Sequence, residues 1–133
     1  MASGIETMVS ITQNPLFGPL VGFGTGGRSM EIPGDVRFRA APLTDRDADD
    51  LLRETGGVAL FEGYRGRPPG DIDSLKDVLL RISRLALDVP EVLDLDLNPV
   101  IVLPPGHGCR IADARIRVGR GRSDRPKKKD GRG

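Results

Sequence analysis

The first forty residues carry a strand-like pattern of apolar and polar positions. Residues 5–12, Ile-Glu-Thr-Met-Val-Ser-Ile-Thr, are rich in β-branched side chains and bounded by Gly4 and by Asn14-Pro15, which predicts a strand. A turn over residues 14–18 leads to a short apolar stretch, 19–23, the return arm of a hairpin. The glycine cluster Gly22, Gly24, Gly26 and Gly27 ends it. After a second turn at Pro33-Gly34, residues 36–40 alternate Val, Arg, Phe, Arg, Ala. That predicts a half-buried strand with Arg37 and Arg39 on one face.

The pattern then changes to a helical period. Thr44 can cap a helix over residues 44–55: its hydroxyl can accept from the N–H near Asp47, Asp45 and Asp47 suit the positive end of the dipole, and Gly56-Gly57 stops it. Its apolar face is thin, Ala48, Leu51 and Leu52. Residues 58–70, with Glu62, Arg65, Arg67 and Pro68-Pro69, predict an ordered loop. In the helix predicted over 73–88, Leu75, Val78, Leu79, Ile82, Leu85, Ala86 and Val89 line one face, and Pro90 ends it. Residues 93–98 alternate strictly, Leu-Asp-Leu-Asp-Leu-Asn, with the leucines expected inward and Asp94 and Asp96 on the opposite face. Pro99 precedes an apolar run over 100–103, a turn over 104–108 and a last alternating strand over 110–118. Hairpin-like strand pairs separated by two helices predict an α+β fold, a largely antiparallel sheet with two helices packed on it, not a doubly wound parallel sheet.

A length of 133 residues supports one core. With no Trp, one Tyr and four Phe, a stacking platform for single-stranded nucleic acid lacks its residues. The single cysteine, Cys109, has no partner for a disulfide or a shared zinc ion. No apolar run is long enough to span a bilayer and the N-terminus lacks signal-peptide features, so the expected setting is the cytoplasm, with no membrane partner. The net charge of +1 conceals a division: residues 119–133 hold seven Arg or Lys against two Asp, or +5, which leaves −4 on residues 1–118. Without an apolar residue, that tail is expected to be disordered. It is open to two readings, an anionic contact or a solubilising terminus. A basic tail alone does not make a nucleic-acid protein.

Gly22-Phe23-Gly24-Thr25-Gly26-Gly27 formally satisfies G-x-G-x-x-G, but no amphipathic helix follows, so a dinucleotide site is not expected. The glycines make either an anion-tolerant turn or a plain tight turn. Asp94, Asp96 and Asn98 share one face of an alternating strand, and Asp113 follows on the next strand. Such oxygens suit magnesium, which takes one or two protein oxygens while phosphates and waters complete its shell. A solvated outer face explains the same pattern. His107 sits at a loop tip without a catalytic partner, and Cys109 has no activating neighbour, so no catalytic residue is assigned.

Several stretches, taken in order, resemble the C-terminal part of the ATP-grasp domain of NDP-forming acyl-CoA synthetases (acetate–CoA ligase, ADP-forming) and related protein acetyltransferases. Asn14-Pro15-Leu16-Phe17-Gly18-Pro19 resembles the family's D-P-x-F-G-P, Phe23-Gly24-Thr25-Gly26-Gly27 resembles F-G-L-G-G, and residues 35–43 resemble D-V-A-F-R-x-A-P-L. Residues 62–69 resemble E-G-x-R-G-x-P-P. Leu95-Asp96-Leu97-Asn98-Pro99-Val100 and Ala112-Asp113-Ala114-Arg115-Ile116 resemble L-D-I-N-P-L and L-D-A-R-I.

The resemblance implies a partial ATP-grasp domain, the C-terminal lobe, over residues 1–118, followed by the basic tail over 119–133. It implies Mg2+ and ATP as cofactors, with Asn98 and Asp113 holding the metal, and with Glu6, Gly26, Gly27 and Arg39 on the nucleotide side. Asp96 adds charge beside them. The family uses ATP to phosphorylate a histidine of a separate CoA-ligase domain and then activates a carboxylate for transfer to CoA. The implied partners are therefore a complementary ATP-grasp lobe, with the nucleotide-clamping lysine, and a CoA-binding or CoA-ligase chain. Asn14, Gln13 and Gly34 stand where the family has Asp, Arg and Lys. The expectation is a lobe inactive alone that supplies a magnesium and phosphate floor; the alternative is a fold-keeping remnant or interaction module without ATP turnover.

Overall fold

The computed structural model describes residues 4–25, 36–55, 61–63 and 68–119. The elements run β1 (Ile5–Asn14), β2 (Gly18–Thr25), β3 (Val36–Ala40), α1 (Asp45–Thr55), α2 (Ile72–Asp88), β4 (Val92–Val102), β5 (Cys109–Ile111) and β6 (Ala114–Val118). The six strands form one sheet in the order β3-β2-β1-β4-β5, with β6 also on β4, and every pairing among them is antiparallel. Both helices lie on one face. The expected α+β class and its two helices are therefore present. No helix among the described residues is long and apolar enough to cross a membrane.

Register explains why one face is covered. Val9 pairs with Phe23 and Leu97, and Ile11 with Val21 and Leu95, so these side chains point the same way. They meet Ala48, Leu51 and Leu52 of α1 and Leu75, Leu79 and Ala86 of α2 in one buried cluster. Burying each of the large aliphatic side chains contributes about 1.5–3 kcal/mol. Thr44 caps α1 as its sequence predicts: Asp47 N donates to its Oγ1 at 3.0 Å, and Thr44 N donates back to Asp47 Oδ2 at 3.0 Å. Ser83, which the apolar spacing of α2 conceals, is buried and accepts from Leu43 N at 2.7 Å, tying the turn after β3 to the helix.

Two expectations are corrected. Leu95 and Leu97 are buried, but Leu93 is only half-buried; the register of β4 on β6 shifts between Val92 and Asp94, and Val92 takes the core position instead. β4 runs through Pro99 to Val102, taking in the apolar run expected after it. A single strand over 110–118 is not formed. Pro99 has no N–H to donate, and β4 bulges against β1 between the pairs Thr7↔Val100 and Val9↔Leu97; on its other side the partner divides into β5 and β6 at Ala112-Asp113. The tail over 120–133 lies outside the described residues.

Candidate functional site

The face turned away from the helices is read directly from the pairings. One row runs Phe38, Gly22, Ser10, Asp96, Arg115 across the sheet; another runs Ala40, Leu20, Thr12, Asp94, Arg117. Gly22 is required here by contact: a Cβ would sit 2.6 Å from both the Phe38 ring and Ser10 Oγ, so the ring lies against the bare backbone. Asp94 is bound to Arg117, whose Nε donates to Oδ2 at 2.7 Å. Asp96 is exposed.

Next along β4, Asn98 and Asp113 are brought directly together. Asn98 N donates to the Asp113 carbonyl at 3.2 Å, and Ala112 N donates to the Pro99 carbonyl at 3.0 Å, which pins the gap between β5 and β6 to the bulge. Asp113 is exposed and accepts from Ala114 N at 2.9 Å through Oδ1. Asn98 Oδ1 is shielded from solvent and has no hydrogen-bond donor. A buried amide oxygen without a donor carries a desolvation cost of about 1–3 kcal/mol, which a cation or donor at that spot would remove. The donor set, one amide oxygen and one carboxylate, matches the hard ligands that magnesium takes from a protein.

The other expected site residues are placed differently. Glu6 lies on the same open face, opposite Ile101 of β4, and is half-buried. Gly26 and Gly27 lie outside the described residues. Arg39 is on the helix side, where Val21 is its cross-strand partner; its Nη2 meets Glu54 Oε2 at 2.9 Å and its Nη1 lies 3.8 Å from Asp47 Oδ1. The Thr44 N–H, ahead of its hydroxyl and of Arg39, holds the Asp47 carboxyl below its ordinary value. Thus Asn98, Asp113 and Glu6 share a face, and Arg39 is turned from it.

Sequence reasoning passed over Asp71, the most heavily bonded side chain among the described residues. It caps α2 from a buried position, and Oδ2 accepts from Gly108 N at 2.8 Å, Gly106 N at 3.1 Å and Ser74 Oγ at 3.0 Å, while Oδ1 accepts from Ser74 N at 3.3 Å. Burial alone raises its pKa, but the bonds from Gly108, Ser74 and Gly106 outweigh this and hold it below 3.8. Gly106 and Gly108 adopt φ of +87° and +82°, which aims their N–H groups inward in a conformation few other residues accept. Asp71-x-x-Ser74 ahead of an apolar helix is the local signal for the cap. The loop contacts come from 35 and 37 residues away, and nothing local announces them. Cys109 beside this knot is half-buried; burial, then the Asp71 carboxylate, push its thiol up to about 11. It is protonated at neutral pH, in keeping with a structural role. His107 is exposed at the loop tip.

The model of the ATP-grasp domain family matches residues 1–118, which include the whole sheet and both helices. The chain belongs to the ATP-grasp domain family. It is 45% identical over 116 residues to an acetate–CoA ligase [ADP-forming] I of Archaeoglobus fulgidus, covering 87% of this chain and 17% of that protein. It is 40% identical over 114 residues to an acetate–CoA ligase [ADP-forming] II subunit beta of Pyrococcus furiosus, covering 85% of this chain and 48% of the subunit. Among solved structures it is similar to the dinucleotide forming acetyl-coenzyme A synthetase 1 of Ca. Korarchaeum cryptofilum in complex with coenzyme A and Mg-AMPPCP. That likeness has a TM-score of 0.80 at 39% identity and covers 90% of this chain and 55% of that one. The ATP-grasp chain described here thus spans about half of the separate beta subunit and about a sixth of the single-chain ligase.

Proposed function

We propose that this chain is the C-terminal ATP-grasp lobe of an ADP-forming acyl-CoA synthetase, supplying the floor on which magnesium and the phosphates of ATP rest. The observation that carries this reading is the Asn98–Asp113 pair, with a buried amide oxygen that no protein donor meets. The relatives support it, since those named above are ADP-forming acetate–CoA ligases and one structural neighbour holds Mg-AMPPCP. Asn98 and Asp113 hold the metal. Glu6 approaches the nucleotide from the same face, and the family resemblance adds Gly26 and Gly27 to the nucleotide-binding residues. Arg39 supports that side indirectly, fastening β3 to α1 through Asp47 and Glu54. Magnesium, when bound, neutralises phosphate charge during phosphoryl transfer; the residues of this chain orient it and shield one ligand from water.

The remaining parts, a complementary ATP-grasp lobe and a CoA-binding or CoA-ligase chain, come from partners, and the setting is the cytoplasm, where ATP and CoA are available. The chain alone is inactive. Calorimetry with Mg2+, with and without ATP, tests the site: binding is weak, improves when the two are added together, and is lost in Asn98→Ala and Asp113→Ala. Tight MgATP binding that survives both substitutions puts the site elsewhere. Mixing with a complementary lobe and a CoA-ligase chain should restore ADP-forming acyl-CoA synthesis; a folded chain that binds Mg2+ and never does so is a fold-keeping remnant.

A further inference from the structure

Two arginines stand on either side of the proposed metal pair, on the same sheet face, and neither is engaged by a carboxylate. Arg115 is the cross-strand partner of Asp96, one step from Asn98 along the ladder, and Arg110 is the partner of Ile101, one step beyond it. Because Leu97 and Val100 point into the core, alternation puts Asp96 and Ile101, and with them Arg115 and Arg110, on the open face. Both arginines are exposed, and among the described residues neither has a carboxylate oxygen within 4.0 Å. Their neighbours differ. Arg117 is held by Asp94, and Arg39 by Glu54 and Asp47 on the other side of the sheet.

We propose that Arg110 and Arg115 form a guanidinium clamp for the polyphosphate arm of a magnesium-bound nucleotide, with the Asn98–Asp113 pair between them. This rests on the metal reading above and adds the residues that meet the phosphates. At about 3.3 Å per residue, Arg115 lies about 7 Å and Arg110 about 10 Å along the sheet edge from Asp113. Both distances are within the span of a polyphosphate and a flexible arginine stem. Magnesium takes few protein oxygens and leaves the phosphates to complete its shell, so the bound chain still carries unneutralised oxygens. A planar guanidinium meets such oxygens with two parallel N–H bonds, which a lysine cannot. The alternation of carboxylate and arginine at this edge thus divides the work: Asp94 holds Arg117 in place, and Arg110 and Arg115 remain available to an anion.

The test is calorimetric titration of inorganic triphosphate, and separately of ATP, into the full chain in Mg2+, with the same titration in EDTA subtracted to remove attraction to the basic tail. Arg115→Gln and Arg110→Gln should each weaken the Mg2+-dependent binding about three- to tenfold, and Arg117→Gln should leave it unchanged. Triphosphate should bind about as well as ATP, because this chain reads the phosphates. An Arg117→Gln loss as large as that of Arg115→Gln overturns the clamp in favour of general surface attraction. Wild-type binding in both arginine variants, with Asn98→Ala still abolishing it, overturns the clamp and keeps the metal site. If Mg2+ makes no difference to the wild-type chain, the metal reading and the clamp both fall. Much tighter binding of ATP than of triphosphate overturns the assignment of the phosphate arm.

Discussion

Asp71 and Asn98 are polar side chains withdrawn from water, and the structure treats them in opposite ways. Asp71 gathers four hydrogen bonds from the cap of α2 and the loop after β4. Asn98, at the bulge of β4, keeps an oxygen shielded from solvent with no donor. A satisfied buried carboxylate rigidifies whatever supplies its donors, here two segments more than thirty residues apart. An unsatisfied buried oxygen stabilises nothing in the free protein, and a ligand bound there, as proposed above, would offset its cost. The first region is architecture; the reading of the second as a site, proposed above, rests on a difference that burial alone does not reveal.

The contrast can be broken at either end. The largest effect is expected from Asp71→Ala, which strands the N–H groups of Ser74, Gly106 and Gly108 and removes the cap: about 2–3 kcal/mol of stability lost, read by urea denaturation. The same group sets a pH dependence. Its folded pKa lies below 3.8, so its contribution is present above that value and fades as pH falls through the lower folded value. Denaturation curves from pH 6 down to pH 2 should therefore fall more steeply for the wild type than for Asp71→Asn. An equal slope in the two proteins would remove Asp71 from the account of acid stability.

Ser83→Ala, which strands the Leu43 N–H, should cost about 1–2 kcal/mol in the same assay. The smallest effect belongs to Asn98→Ala, within about 0.5 kcal/mol of wild type or slightly stabilising, since its Oδ1 bonds nothing. Magnesium binding should vanish in that variant. If Asn98→Ala destabilised as much as Asp71→Ala, the two regions would not differ in kind and Asn98 would be structural.

Much of the fold was legible because its signals are local. The caps and periods of α1 and α2, the β-branched run of β1 and the alternation of β3 each lie within a dozen or so residues, and each element appears within about two residues of its expected start. The pairing of Asn98 with Asp113 was also legible, since a turn over 104–108 places them at nearly equal distances along two strands. Leu93 was misread because an ideal alternation takes no account of a bulge, and a bulge moves every side chain beyond it to the other face. The face of Arg39 could not be judged from its motif, because it depends on which side of β3 the helices cover.

The sequence by itself determined the class of fold, the order of elements, the family to which the chain is similar and the oxygen-bearing residues that the family resemblance singles out. Periodicity, capping and turn chemistry act between near neighbours and survive without the rest of the molecule. Only the tertiary structure decided which polar groups are spent and which are free. Asp71 is bonded by glycines 35 and 37 residues away, Arg39 is paired through Nη2 with Glu54 of α1 while its buried Nε has no partner among the described residues, and Arg117 is held by Asp94 across the ladder. Hydrogen bonds are short-ranged in space but indifferent to separation along the chain, so the packing of distant segments settles whether a charged or amide group holds the protein together or waits for a ligand.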